Sequence, residues 1–149
     1  MGDGMTDIEN ITTLSVADAV RFVSRAFVQA GVSEANAATV AAALVAAEID
    51  GQKGHGLSRV KSYALQARSG KVNGTAVPQL EICSAGLIRV DAQNGFAFPA
   101  IALAISELLT RLPETGIAAA GTIRSHHAGQ MGAPVAASSE QGHIAPMFA

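Results

Sequence analysis

The run D-G-Q-K-G-H-G-L-S-R-V-K-S-Y from Asp50 to Tyr63 constrains this chain most, because three glycines interrupt helical periodicity on both sides of it. A helix beginning near His55 would put His55, Arg59 and Tyr63 at i, i+4 and i+8, stacked on one face. A titratable imidazole, a permanent cation and a phenol would then point the same way. Arginine grips a carboxylate through parallel hydrogen bonds, and histidine or tyrosine can hydrogen-bond a neighbouring carbonyl or hydroxyl. The plainer alternative is a solvated helix face carrying Arg59 and Tyr63, with His55 in a loop.

Composition narrows the setting. The 149 residues suffice for one domain with a core and not for two full ones. Apolar residues make up 49% and charged residues only 15%, a balance that suits a chain covered by a partner or by more of itself. A net charge of −2 without a basic run argues against a nucleic-acid surface. The single cysteine, Cys83, rules out an internal disulfide and fits a reducing compartment; it reads as a small buried residue of a strand. The acidic, polar N-terminus is unlike a signal peptide, and the alanine-rich run at 35–47 is too short to span a bilayer. These features point to a soluble cytoplasmic protein with no membrane partner.

Read in order, residues 1–10 are expected to fray. Ser15 then caps a first helix, with Asp18 in the capping-box position and Val16, Val20, Val23, Phe27 and Ala30 at helical spacing. Ser33 caps a second that ends at Asp50, with Gly51 beyond it. A third is expected at about 55–68, with Leu57, Val60, Ala64 and Ala67 on its apolar side. Short apolar runs at 80–83 and 87–90 predict a hairpin. Pro99 opens an amphipathic helix stopped by Pro113 and Gly116. A small-residue strand at 117–123, a short helix at 135–140 and a last strand at 144–149 complete an α/β layer. The chain ends inside that last strand, so more sequence is expected to follow.

A second polar group, Ser125, His126 and His127 ahead of Gly129 and Gly132, lies between the 117–123 strand and the next helix. Strand-end loops that feed helices are where open α/β sheets place ligands. Adjacent histidines point to different sides, so at most one of the two is expected to act in chemistry; the plainer alternative is one packed and one solvated histidine. Metal is not expected: the four histidines include no H-x-x-x-H, and no C-x-x-C occurs. The dinucleotide fingerprint G-x-G-x-x-G is absent too.

Together the two groups resemble the malate/L-lactate dehydrogenase family, which is unrelated to the classical Rossmann enzymes and includes sulfolactate and ureidoglycolate dehydrogenases and cyclic imino acid reductases. The family's first motif resembles D-G-x-x-S-H-G-x-x-R-x-x-x-Y followed by G-x-I/V-N, matched by Asp50-Gly51, Gly54-His55-Gly56, Arg59, Tyr63 and Gly70-Lys71-Val72-Asn73. The second, S-H-H/C-x-G, is matched by residues 125–129. The resemblance implies a helical region over 1–75 and, over 76–149, the first part of a central mixed-sheet α/β nucleotide-binding domain. It implies hydride transfer between NAD or NADP and a 2-hydroxy/2-keto acid, or a cyclic imino acid, in a homodimer. His126 would be the general acid/base with Tyr63 beside it, Arg59 would hold the substrate carboxylate, His55 would line substrate and nicotinamide, and His126 and Gly129 would also face the cofactor. The chain departs from the pattern at Gly54, where the family has serine, and at Ala133-Pro134, where aromatic residues are frequent. Family members are more than twice this length, which implies that this chain by itself is an inactive N-terminal portion.

Overall fold

The computed structural model describes residues 13–148. The expectations for residues 1–10 lie outside that range. Helix α1, Val16–Gln29, begins where Ser15 accepts the Asp18 N–H at 3.1 Å, and α2, Glu34–Ile49, begins where Ser33 accepts the Asn36 N–H at 3.4 Å. The four-residue connection folds α2 back on α1. Alanines 37, 41 and 47 of α2 are buried and bring the helix axes close, while Phe27, Val40 and Leu44 fill the space between. Fully burying a side chain such as Phe27 contributes about 2–3 kcal/mol.

The third helical segment differs from its expected form. A 3-10 turn, Leu57–Arg59, precedes helix α3, Val60–Arg68, so His55 lies in the preceding turn and not in the helix. Glu48 accepts the Leu57 N–H at 2.9 Å, which holds that turn against the end of α2 and delays helix formation. Leu57 is exposed, whereas Tyr63 is 3% exposed and joins the core with Phe27 and Phe96. The expected division of α3 into a packed apolar side and a working His55–Arg59–Tyr63 side therefore fails at both residues.

Strands β1, Gln79–Ser84, and β2, Leu87–Asp91, form the antiparallel hairpin, and β3, Ala119–Ile123, pairs parallel to β2 on its other side. Helix α4, Ala97–Thr115, makes the crossover and packs Ala100 and Ala104 on Ile88, Val90 and Ala92. Strand β2 alternates as a half-covered strand should: Ile88 and Val90 are buried, Leu87 and Arg89 exposed. Phe96 and Phe98, at the start of α4, reach the other way into the helical core.

Four further expectations need correction. Pro113 lies within α4, where its fixed φ suits the final exposed turn, and left-handed Gly116 ends the helix. Cys83 is in β1 but exposed, at a bulge between Ile82 and Ser84 on an edge strand. Residues 144–148 form no strand: Ile144 is 99% exposed and no neighbour offers a ladder among the described residues. Helix α5, Gly132–Ser139, starts earlier than expected. The architecture is thus a helical bundle followed by the beginning of a mixed-sheet α/β layer. No helix among the described residues is long and apolar enough to cross a membrane.

Candidate active site

The site lies where the turn after α2 meets the loop after β3, at the C-terminal ends of the parallel pair β2 and β3. Both segments are held in shape by backbone hydrogen bonds. In the first, the Gln52 N–H donates to Ala47 O and the His55 N–H to Gln52 O, each at 2.8 Å. Gly56 admits no side chain, because a Cβ there would come within 2.3 Å of the Glu48 carboxylate. In the second, the Ala92, Asn94 and His126 N–H groups donate to Ile123, Arg124 and Gly95 carbonyls at 2.8–3.0 Å, extending the β2–β3 register beyond the strands.

His55 and His127 face each other with ring centroids 6.0 Å apart. His127 is exposed and His55 half-buried. Gly129 lies against His55 so closely that a Cβ would meet its Nδ1 at 2.6 Å. Gln130, 7% exposed, donates its side-chain N–H to the Asp50 carboxylate and ties the histidine loop to the end of α2. Arg59 donates Nε–H to Gly54 O, and its Nη groups carry no hydrogen bond among the described residues.

Tyr63 and His126 form a separate, inner pair. Their rings meet edge-on at 4.9 Å, and His126 also stands edge-on to Phe96 at 5.9 Å. Burial raises the Tyr63 pKa above 10.0, with Arg59 opposing, so the phenol keeps its proton near neutrality. His126 Nε2 is 2.9 Å from Gln66 Oε1. An amide oxygen only accepts, so Nε2 carries the hydrogen and Nδ1 is left bare, buried and without a partner. Burial first, then the His127 and Lys71 charges, lower the His126 pKa, so the ring is neutral near pH 7.

The structure therefore brings His55, His127 and Gly129 together at the surface and sets Tyr63 and His126 behind them. Gln66 and Gln130 went unrecognised in the sequence. Gln66 lies three residues after Tyr63, within one helical turn, and that spacing was a usable signal. Gln130 has no such signal, since its partner Asp50 is 80 residues away. No group of three or more His, Cys, Asp or Glu side chains able to hold a metal occurs among the described residues.

Residues 14–149 match the sequence profile of malate/L-lactate dehydrogenases. The chain belongs to the malate/L-lactate dehydrogenase family. Within it, the chain is 40% identical to (2R)-3-sulfolactate dehydrogenase (NADP(+)) of Chromohalobacter salexigens over 91% of its own length and 40% of that protein's. It is 37% identical to a Delta(1)-pyrroline-2-carboxylate/Delta(1)-piperideine-2-carboxylate reductase of Pseudomonas syringae pv. tomato, over 89% and 39%. The malate dehydrogenase structure from Pyrococcus horikoshii superimposes with a TM-score of 0.81 at 25% identity, over 90% of this chain and 38% of that one. The Methanocaldococcus jannaschii sulfolactate dehydrogenase gives a TM-score of 0.80 at 19% identity, over 87% and 38%, and shows the same fold. The chain thus spans about two-fifths of the length of these family members.

Proposed function

We propose that this chain carries the substrate-gripping part of an NAD(P)-linked oxidoreductase that moves hydride between nicotinamide and the carbon of a 2-hydroxy/2-keto acid. The observation that carries the reading is the facing pair His55 and His127, at the C-terminal ends of parallel strands. Two buried polar atoms, His55 Nδ1 and Gln130 Oε1, have no partner. Both are closed to solvent, so the group open to a bound cofactor is the exposed His127 ring beside half-buried His55. Those residues fit the nicotinamide end of a cofactor. The cofactor supplies or accepts the hydride, and the protein manages the carboxylate and the proton.

Arg59 holds the substrate carboxylate through its free Nη groups. As the carbonyl carbon gains hydride, its oxygen takes a proton from an imidazole; in the reverse direction the hydroxyl gives that proton back. We assign this transfer to His127. The resemblance assigned it to His126, but Gln66 occupies His126 Nε2 and Nδ1 is closed to solvent, while His127 is exposed. A general acid must reach the oxygen it protonates. In this proposal Tyr63 and His126 form the inner wall, and Gly129 allows the loop to close on His55. The division at residues 75–76, a homodimeric state and a cytoplasmic location belong to the same proposal.

A second reading, reduction of a cyclic imino acid, has support from the reductase names among the relatives. The same residues serve it, with nitrogen in place of oxygen. The chain's short span supports a third element, that these residues turn over only within a longer polypeptide.

The test joins this chain to the remaining part of the Chromohalobacter relative and assays NADH and NADPH with keto acids and cyclic imines. His127→Ala is expected to lower kcat by about 10²–10⁴-fold, the usual worth of a general acid. His126→Ala is expected to retain turnover and lose thermal stability. The opposite pattern would return the acid role to His126, and no turnover with any substrate would remove the oxidoreductase reading.

A further inference from the structure

His126 also lines a cavity of about 190 Å³, together with Lys71, Val72, Asn94, Arg124 and Ser125. Its walls are built from unusual backbone. Gln93, Asn94 and Arg124 all have left-handed φ, at 55°, 59° and 48°. The Asn94 N–H donates to Arg124 O and the Asn73 N–H to Asn94 O, so the loops lock around the cavity and leave its chemistry to side chains.

Those side chains are predominantly cationic and donating. Lys71 is exposed and has no acidic partner among the described residues. Arg124 gives Nε and one Nη to Asp91, and its other Nη carries no hydrogen bond among the described residues. Ser125 Oγ donates only to the adjacent His126 carbonyl, a local bond it can exchange. Counting Asp91 against Arg124, Lys71 leaves the cavity one net positive charge, and Lys71 and His126 line it together.

We propose that this cavity is a second ligand site, which binds a phosphate-class oxyanion. Such an anion accepts hydrogen bonds from every direction, which matches an ammonium, a guanidinium, a hydroxyl and an amide converging from different segments. The site is distinct from the carboxylate grip. Arg59 is not among the residues that line the cavity, and it folds back toward Gly54 before α3 begins. The anion therefore belongs to a different ligand or to the far end of an extended one, and the proposal stands whether or not the dehydrogenase reading holds.

The test is a titration of the 149-residue chain with inorganic phosphate at fixed ionic strength, followed by amide and imidazole NMR shifts. Saturable shifts at Ser125 and His126 are expected. Lys71→Met and Arg124→Gln should each weaken binding about tenfold or more, as loss of a charge-assisted hydrogen bond does, while Lys61→Met on the outer face of α3 should not. Shifts that rise without saturation, or saturate equally in wild type and both cavity variants, would overturn the site. Competition then names the source: displacement by NADP+ but not NAD+ identifies a phosphorylated dinucleotide, and displacement by methanesulfonate but not NADP+ identifies a sulfonated substrate.

Discussion

Asn36 offers a sharp test of how the helical half supports the histidine loop. Its side chain is 7% exposed and donates to Gly74 O and Ala76 O, both at 2.9 Å, across 38 and 40 residues of sequence. Replacement by alanine removes both bonds. Gly74 O keeps the Ser33 N–H at 3.1 Å, but Ala76 O loses the partner that the structure gives it. One ordinary loss and one orphaned acceptor together cost about 2–3 kcal/mol. For a chain of this size that corresponds to a melting temperature lower by roughly 4–12 °C. The loop that Asn36 holds packs on Gly95, whose carbonyl accepts the His126 N–H, so the damage should reach the site. Thermal unfolding by circular dichroism, with His126 amide exchange read in parallel, tests both parts. Asn36→Asp should be worse than alanine, because a carboxylate would face two carbonyls. An alanine variant melting within 1 °C of wild type, or an aspartate variant equal to it, would refute the reasoning.

Other outcomes follow from the same geometry. The His126 pKa in the folded chain is below 6.5, so as pH falls the unfolded chain takes up that proton first. The stability it contributes is full above pH 6.5 and declines from there down to the folded pKa; urea midpoints at high and low pH should converge in His126→Gln relative to wild type, and an unchanged difference would be evidence against this. Gly54→Ser should leave stability within about 0.5 kcal/mol, since a Cβ there meets nothing within 4 Å. Gly56→Ala should cost about 1–3 kcal/mol by displacing Glu48; equal denaturant midpoints for the two variants would contradict that contrast.

What could be read from the sequence was what local chemistry dictates. Ser15 and Ser33 start their helices where the capping pattern put them, because a cap is decided within three residues. The β1–β2 hairpin was legible from its apolar runs, and the family from the order of its two motifs. The start of α3 was not, because Glu48, nine residues upstream, takes the Leu57 N–H and holds a turn where periodicity favours helix. Nor did sequence distinguish the histidines of the doublet. Which ring turns inward depends on Gln66 and Phe96, and neither is a neighbour in the chain. Cys83 was misplaced because an alternating pattern does not reveal which face of an edge strand is covered.

The two ties that hold the site together close loops of 60 residues, Gln66 to His126, and 80 residues, Asp50 to Gln130. Each is a late event in folding, since closure entropy is spent before either contact can form. During synthesis the helical bundle has its capping and its local packing available before residue 126 emerges, yet His55 and Tyr63 remain without their partners. The facing histidines are therefore expected to come into register after the helical bundle and to separate before it under denaturant. Hydrogen exchange should report that order, with α1 and α2 outlasting the histidine loop.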